Sequence, residues 1–164
     1  MLASGRTSSL YIDARLTTMS PEGLTIIGSV GLHALRAARW DVEAVGGLTL
    51  GADPIAYAIA YASATTERPI RAFTVRKETK SHGMGRLIEG PFEAGDRVAV
   101  IEDVITTGAS AIKAVREVED AGGEIIGVLA LVDRELGGRE ALETEGLQVI
   151  ALTRASDIVA QMPS

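Results

Sequence analysis

The chain contains no cysteine, which excludes disulfides, thiolate metal sites and cysteine nucleophiles. Histidine is almost as scarce: His33 and His82 are the only two, too few for a multi-histidine metal centre. No long hydrophobic run is present either. The longest apolar-looking stretch, residues 54–64 (PIAYAIAYASA), falls far short of the roughly 20 residues needed to cross a bilayer. The first residues lack a basic region followed by an apolar segment, so no secretory signal is read and a soluble cytoplasmic protein is expected. Positive charge is also short, with 16 Lys and Arg against 22 Asp and Glu and a formal net charge of -6. General attraction to nucleic acid or an anionic membrane is therefore not expected. Any anion must be held by a local cluster.

What is present is enough for one core: 164 residues, 46% of them hydrophobic, read as a single domain over residues 1–164. Strand-like and helix-like segments alternate along it. Residues 9–16 (SLYIDARL) alternate as a half-buried strand. Ser20, Pro21 and Glu22 then start a helix that runs to about Ala38. Residues 42–45 form a short strand that breaks at Gly46 and Gly47. A small-residue helix follows from Asp53 and Pro54 to about Ala64, then a strand at residues 70–75. The polar, glycine-containing stretch 76–90 (RKETKSHGMGRLIEG) has no apolar period and is either disordered or a functional loop. Residues 97–101 read as a buried parallel strand, 110–121 as a helix closed by Gly122 and Gly123, and 125–132 as a second buried strand ending in Asp133 and Arg134. A short helix from Arg139 and a strand at 147–152 complete an α/β fold: a mainly parallel twisted sheet flanked by helices.

In such sheets ligands sit beyond the carboxyl ends of the strands. That rule selects Gly46 and Gly47, residues 102–110, and Asp133 with Arg134, which should converge on one crevice. Residues 98–110 (VAVIEDVITTGAS) carry the sharpest signal. Thr106, Thr107, Gly108, Ala109 and Ser110 lie between strand and helix, where backbone N–H groups and hydroxyls can cradle a phosphate. No lysine follows the glycine, so this is not the nucleoside-triphosphatase loop. Glu102 and Asp103 are unfavourable beside a phosphate unless they contact something else, and a vicinal diol is the obvious partner for a carboxylate. A ribose 5-phosphate meets both demands. A purely structural turn explains Gly108 but not the acid pair.

This stretch resembles the phosphoribosyl-diphosphate signature of type I phosphoribosyltransferases: apolar strand, two acids, two variable residues (Val104 and Ile105 here), then Thr-Thr-Gly. The loop narrows the resemblance. Arg76, Lys77, Lys80 and His82 concentrate cations in an acidic protein, and the pattern Arg-Lys-x-x-Lys-x-His-Gly, with Ile88-Glu89-Gly90 after it, resembles the flexible catalytic loop of orotate phosphoribosyltransferases. A solvated charged loop is the usual meaning of such a run. Its position beside a phosphate site instead suits a lid over a polyanion. The segments around Ser4-Gly5-Arg6, residues 45–56 (VGGLTLGADPIA) and residues 131–138 (LVDRELGG) are also similar to that family. Ala3 stands where many members carry a lysine, and the chain starts almost at that segment, which leaves three readings: a misassigned start, a natural short form, or a reduced N-terminal hood over the base.

The resemblance implies transfer of a phosphoribosyl group from 5-phosphoribosyl 1-diphosphate to orotate. It implies Lys80, His82, Lys77, Arg76 and Asp103 in catalysis, with Lys80 the most important. Gly46 and Gly47 would lie against the diphosphate, the loop cations and residues 102–110 would bind phosphoribosyl diphosphate, and Thr106 and Arg134 would meet orotate. A guanidinium fork suits the orotate carboxylate bidentately, whereas a neutral purine would give Arg134 no such partner. Magnesium is expected through the substrate rather than on protein ligands, and a homodimer with shared sites is implied. Two rival readings remain: a transferase for another base, and a non-catalytic sensor of phosphoribosyl diphosphate that binds nucleic acid. The latter lacks a helix-turn-helix segment and has no use for a cationic loop. His33, Trp40, Tyr57 and Tyr61 read as structural or packing residues, and Tyr11 matches a segment that lies near the base in the family.

Overall fold

The computed structural model describes residues 12–78 and 87–162. Among the described residues, six strands form one sheet: β1 (Ala44–Leu48), β2 (Arg71–Val75), β3 (Ile88–Glu89), β4 (Arg97–Ile105), β5 (Glu124–Asp133) and β6 (Val149–Arg154). Their order is β3-β2-β1-β4-β5-β6, parallel throughout except for β3, which runs antiparallel to β2 at the edge. The helices of the described residues are α1 (Arg15–Thr18), α2 (Pro21–Ala37), α3 (Ala52–Ser63), α4 (Ala109–Asp120), α5 (Gly138–Thr144) and α6 (Ala155–Ala160). No helix is long and apolar enough to cross a membrane among the described residues.

Two cores explain why the inner strands read as continuous apolar runs. Side chains alternate across a strand, so a strand covered on both faces must be apolar at every position. Ala99 and Ile101 of β4 pack with Ile27 and Leu35 of α2 and Ile55 and Ile59 of α3. Val98 and Val100 pack on the other face with Ala111, Val115 and Val118 of α4. The α2 start forms as its sequence suggests: the Ser20 hydroxyl accepts the Gly23 N–H at 3.0 Å, and Pro21 occupies the first turn.

Three expectations are corrected. Arg15 and Leu16 lie in α1, not in a strand, because the Asp13 carboxylate accepts the Arg15 backbone N–H at 3.1 Å and draws the chain into a turn. The β4 strand continues past Ile101 to Ile105, since its ladder with β5 persists after the apolar pattern stops, pairing Glu102 with Ala130 and Val104 with Val132. Thirdly, β1 does not break at Gly46 and Gly47; both glycines sit inside it, opposite Phe73 and Thr74 of β2.

Those glycines serve packing. A Cβ on Gly46 would lie 2.6 Å from the Phe73 ring, and one on Gly47 would collide with the Ile101 carbonyl oxygen and lie 2.8 Å from the Ala52 Cβ. The α3 start can approach β1 and β4 only because the side chain is missing. Gly47→Ala should therefore destabilise the ligand-free protein by about 1–3 kcal/mol, the usual range for an overpacked core. The urea midpoint measures this, and an unchanged midpoint would show that the sheet has room to spare.

Candidate functional site

Strand order reverses its direction of growth between β1 and β4, and at such a switch point the segments leaving the two strands diverge and leave a crevice. The structure has a cleft of about 380 Å³ there. The end of β1 contributes Leu48 and the turn 49–51, and the segment after β2 contributes Lys77. From β4 come Glu102, Asp103 and Val104, followed by Thr106 and Ser110, and Arg134 stands just past β5. A recess of about 80 Å³ adjoins it, bounded by Glu102 and residues 104–110. A larger groove of about 470 Å³ lies elsewhere, where Glu117 and Asp120 sit beside Leu87 and Phe92. It has no comparable meeting of cations, acids and helix start.

The recess is built by Gly108, which precedes α4 with φ +80, a conformation other residues adopt only with strain. A Cβ there would also lie 2.9 Å from the Gly138 carbonyl oxygen. Gly108 has no side chain to cap α4, and the Ala109 N–H makes a long contact with the Thr107 hydroxyl at 3.4 Å, so the remaining N–H groups of the first turn are available to the recess, with the positive end of the helix dipole behind them. A compact anion such as a phosphoryl group suits that arrangement.

The acid pair stands beside it. Asp103 accepts the Val104 N–H at 2.8 Å, and the turn after β1 comes so close that a Cβ on Gly51 would lie 2.6 Å from the Asp103 carboxyl carbon. Glu102 is pushed up to about 8, first by burial and then by the hydrogen bond and charge of Asp103. Two neighbouring carboxyls in a half-buried crevice cannot both ionise cheaply, and one keeps its proton until a ligand supplies compensation.

The cleft therefore gathers Lys77, Glu102, Asp103, Val104, Thr106, Ser110 and Arg134, while Ile105, Thr107, Gly108 and Ala109 complete the recess. Gly46 and Gly47 do not line it; the turn that does begins two residues later, at Thr49. Arg76 stands at the foot of the 79–86 segment, where it pairs with Glu89 at 3.3 Å and its N–H donates to the Leu87 carbonyl. The Lys113 ammonium donates to the Lys77 carbonyl at 2.9 Å, joining the same foot to α4. Lys80, His82, Ser4, Gly5, Arg6 and Tyr11 lie outside the described residues. Tyr57 and Tyr61, expected to pack, are 52% and 85% exposed, because α3 turns that face outward.

Sequence reasoning missed Asp13 and Arg15, both on the cleft and joined by a two-pronged ion pair at 2.8 and 3.0 Å that lowers the Asp13 pKa. Their Asp-x-Arg spacing was the available signal, hidden by the strand reading. No group of three or more His, Cys, Asp or Glu able to hold a metal occurs among the described residues. The carboxylates and hydroxyls of the cleft are hard oxygen donors, which fits a magnesium ion that keeps its waters and is held mainly by substrate phosphates.

No protein-family model matches the chain. It is similar to the orotate phosphoribosyltransferase of Aquifex aeolicus, 50% identical over 158 residues that span 96% of this chain and 85% of that protein. It is 48% identical over 157 residues to the orotate phosphoribosyltransferase of Mycobacterium tuberculosis H37Rv, again covering 96% and 85%. The crystal structure of the M. tuberculosis H37Rv enzyme in complex with 5-phospho-alpha-D-ribosyl 1-diphosphate superposes with a TM-score of 0.80 at 45% identity, covering 92% of this chain and 84% of that one.

The raised Glu102 pKa has a consequence for stability. Between about 4.5, its ordinary value, and about 8, the folded chain holds a proton that the unfolded chain has released. Stability is then highest below this window and is lost as pH rises through it. Glu102→Gln cannot titrate, so the ligand-free variant should lose less stability than the parent between pH 5 and pH 8.5. Parallel urea midpoints for the two proteins across that range would contradict the assignment.

Proposed function

The chain belongs to the orotate phosphoribosyltransferase family, and from that premise we propose how its own residues carry out the transfer. The enzyme moves the phosphoribosyl group of 5-phosphoribosyl 1-diphosphate to N1 of orotate, giving orotidine 5′-phosphate and diphosphate in pyrimidine biosynthesis. The observation that carries the site reading is the acid pair, Glu102 and Asp103, lying in one cleft between an anion recess and the turn after β1. The ribose diol donates to the two acids and the 5′-phosphate sits on residues 106–110, with Val104 and Ile105 forming the wall between. The diphosphate lies on the turn 49–51, which Gly46 and Gly47 bring close to β4.

In the transfer the bond from the anomeric carbon to the diphosphate oxygen breaks as the bond to N1 of orotate forms, and the N1 proton leaves with the departing diphosphate, which is its acceptor. The anomeric carbon becomes oxocarbenium-like, and negative charge builds on the departing diphosphate. Groups that meet that charge act most strongly in the transition state. Lys77 stands on the cleft for this purpose, and Arg76, Lys80 and His82 complete the cationic set. Arg134 takes the orotate carboxylate with its planar fork, and Thr106 contacts the base. When bound, magnesium offsets charge on the diphosphate, and Asp103 and Glu102 are the protein carboxylates available to its water shell.

We read residues 1–164 as one domain, located in the cytoplasm, that works as a homodimer. Support for self-association comes from α2 and α3: exposed Tyr57 and Tyr61 flank a groove of about 450 Å³ lined by Leu24, Ala58 and Ala62, and α2 also exposes Ile26 and Val30. An exposed apolar groove of this kind marks a contact surface on a soluble protein.

The direct test mixes purified protein with orotate, phosphoribosyl diphosphate and magnesium and follows orotate's ultraviolet absorbance, omitting each component in turn. Loss of absorbance should require all three; turnover with uracil or a purine instead would assign another base. Lys80→Ala should lower kcat by roughly 100- to 1000-fold, as removal of an oxyanion-stabilising donor does, with a smaller change in KM. Tyr61→Glu should move the sedimentation profile towards monomer; a dimer of unchanged strength would place the subunit contact elsewhere.

A further inference from the structure

One buried acid beside the cleft has no part in the scheme above. Asp53, in the first turn of α3, is 8% exposed and holds two threonine hydroxyls: Thr49 at 2.6 Å and Thr74 at 2.9 Å. Thr49 belongs to the turn that lines the cleft, whereas Thr74 belongs to β2, two residues before Arg76. The Tyr57 hydroxyl lies 2.7 Å from that of Thr74. The carboxylate oxygens accept from both threonines, and each hydroxyl has a single proton, so the remaining direction follows. Thr49 and Thr74 both donate to Asp53, and Thr74 must accept from Tyr57. The Thr49 N–H also donates to the Val75 carbonyl at 2.8 Å, so the turn is tied to the end of β2 by backbone and side chain together.

An acid in the first turn of a helix has an ordinary explanation, since it complements the helix dipole. That explains neither the burial nor the division of the two carboxylate oxygens between threonines of different elements. What they share is position: one element carries the turn, and the other leads directly into Arg76 and Lys77. We infer that Asp53 is a positioning residue that fixes the turn 49–51 against the end of β2, so that the turn and Lys77 address one diphosphate from both sides. This rests on the diphosphate placement proposed above. Misplacement of a binding group by about 1 Å can cost on the order of 100-fold in rate, so such a clamp has leverage without touching substrate.

The test compares the parent enzyme with Asp53→Asn, Thr74→Val and Thr74→Ser. Asn replaces one acceptor oxygen by a donor, which forces one threonine hydroxyl to turn round. Val removes the Thr74 hydroxyl while keeping its shape, and Ser keeps the hydroxyl. Steady-state constants for both substrates are combined with calorimetric titration of diphosphate and magnesium in the absence of orotate, and with thermal midpoints. Asp53→Asn and Thr74→Val should raise KM for phosphoribosyl diphosphate and Kd for diphosphate about tenfold, with KM for orotate changing less than about twofold and Thr74→Ser staying near the parent. Lower thermal midpoints with both KM values and the diphosphate Kd unchanged would reduce Asp53 to a structural residue and overturn the inference. So would equal rises in both KM values. Failure of the parent protein to bind diphosphate or consume orotate would instead overturn the site reading itself, and the inference with it.

Discussion

The divergence of the chain at the carboxyl ends of β1 and β4 is the constraint on which the rest depends. Adjacent parallel strands must pair closely along their length, yet the segments leaving them here run to α3 on one face and α4 on the other. Close pairing demands glycine at 46 and 47, because Phe73, Ala52 and the Ile101 carbonyl occupy the space a side chain would need. Divergence then leaves a crevice that is polar by necessity, since the backbone groups at both strand ends need partners. The same geometry brings the α4 start, the β1 turn and the β4 acids within reach of one ligand.

Much of this was legible because the chemistry was contiguous. Residues 98–110 combine a strand, two acids and a helix start in one stretch, and the structure keeps them together in the cleft and its recess. Alternating buried strands and helices fixed the fold class for an equally local reason. Less legible was whatever depends on pairing between distant segments. The end of β4 was set too early, since its last residues are held by the ladder to β5 and not by apolar pattern. Strand β3 is two residues long and exists only through β2. Gly46 and Gly47 looked like a turn because glycine marks turns far more often than tight packing inside a strand.

Asp53 illustrates the limit from the other side. In sequence it is an ordinary first-turn acid before a proline-started helix, and nothing nearby announces Thr74, 21 positions away. Its meaning comes from burial and from the direction of three hydroxyl protons, neither of which a linear pattern encodes. By the same token, Asp13 and Arg15 were hidden by a strand-like alternation that a side-chain-to-backbone bond overrides.

The acid pair can now be reconciled with a protein of net charge -6 that handles a polyanion. Two ionised carboxylates at the mouth of a phosphate recess would repel the ligand before its diol could engage them. With Glu102 raised to about 8, the ligand-free cleft carries at neutral pH mostly one negative charge from this pair rather than two. The second can form once hydroxyl donors and cations arrive to compensate it. The protein is acidic overall, but at the position where acidity would oppose binding it keeps a proton, and its local cations, Lys77 and Arg134, stand on the same cleft. An anion is thus met by a locally favourable field inside a globally unfavourable one, because unscreened interactions at a few ångströms outweigh those beyond a Debye length of about 8 Å in physiological salt.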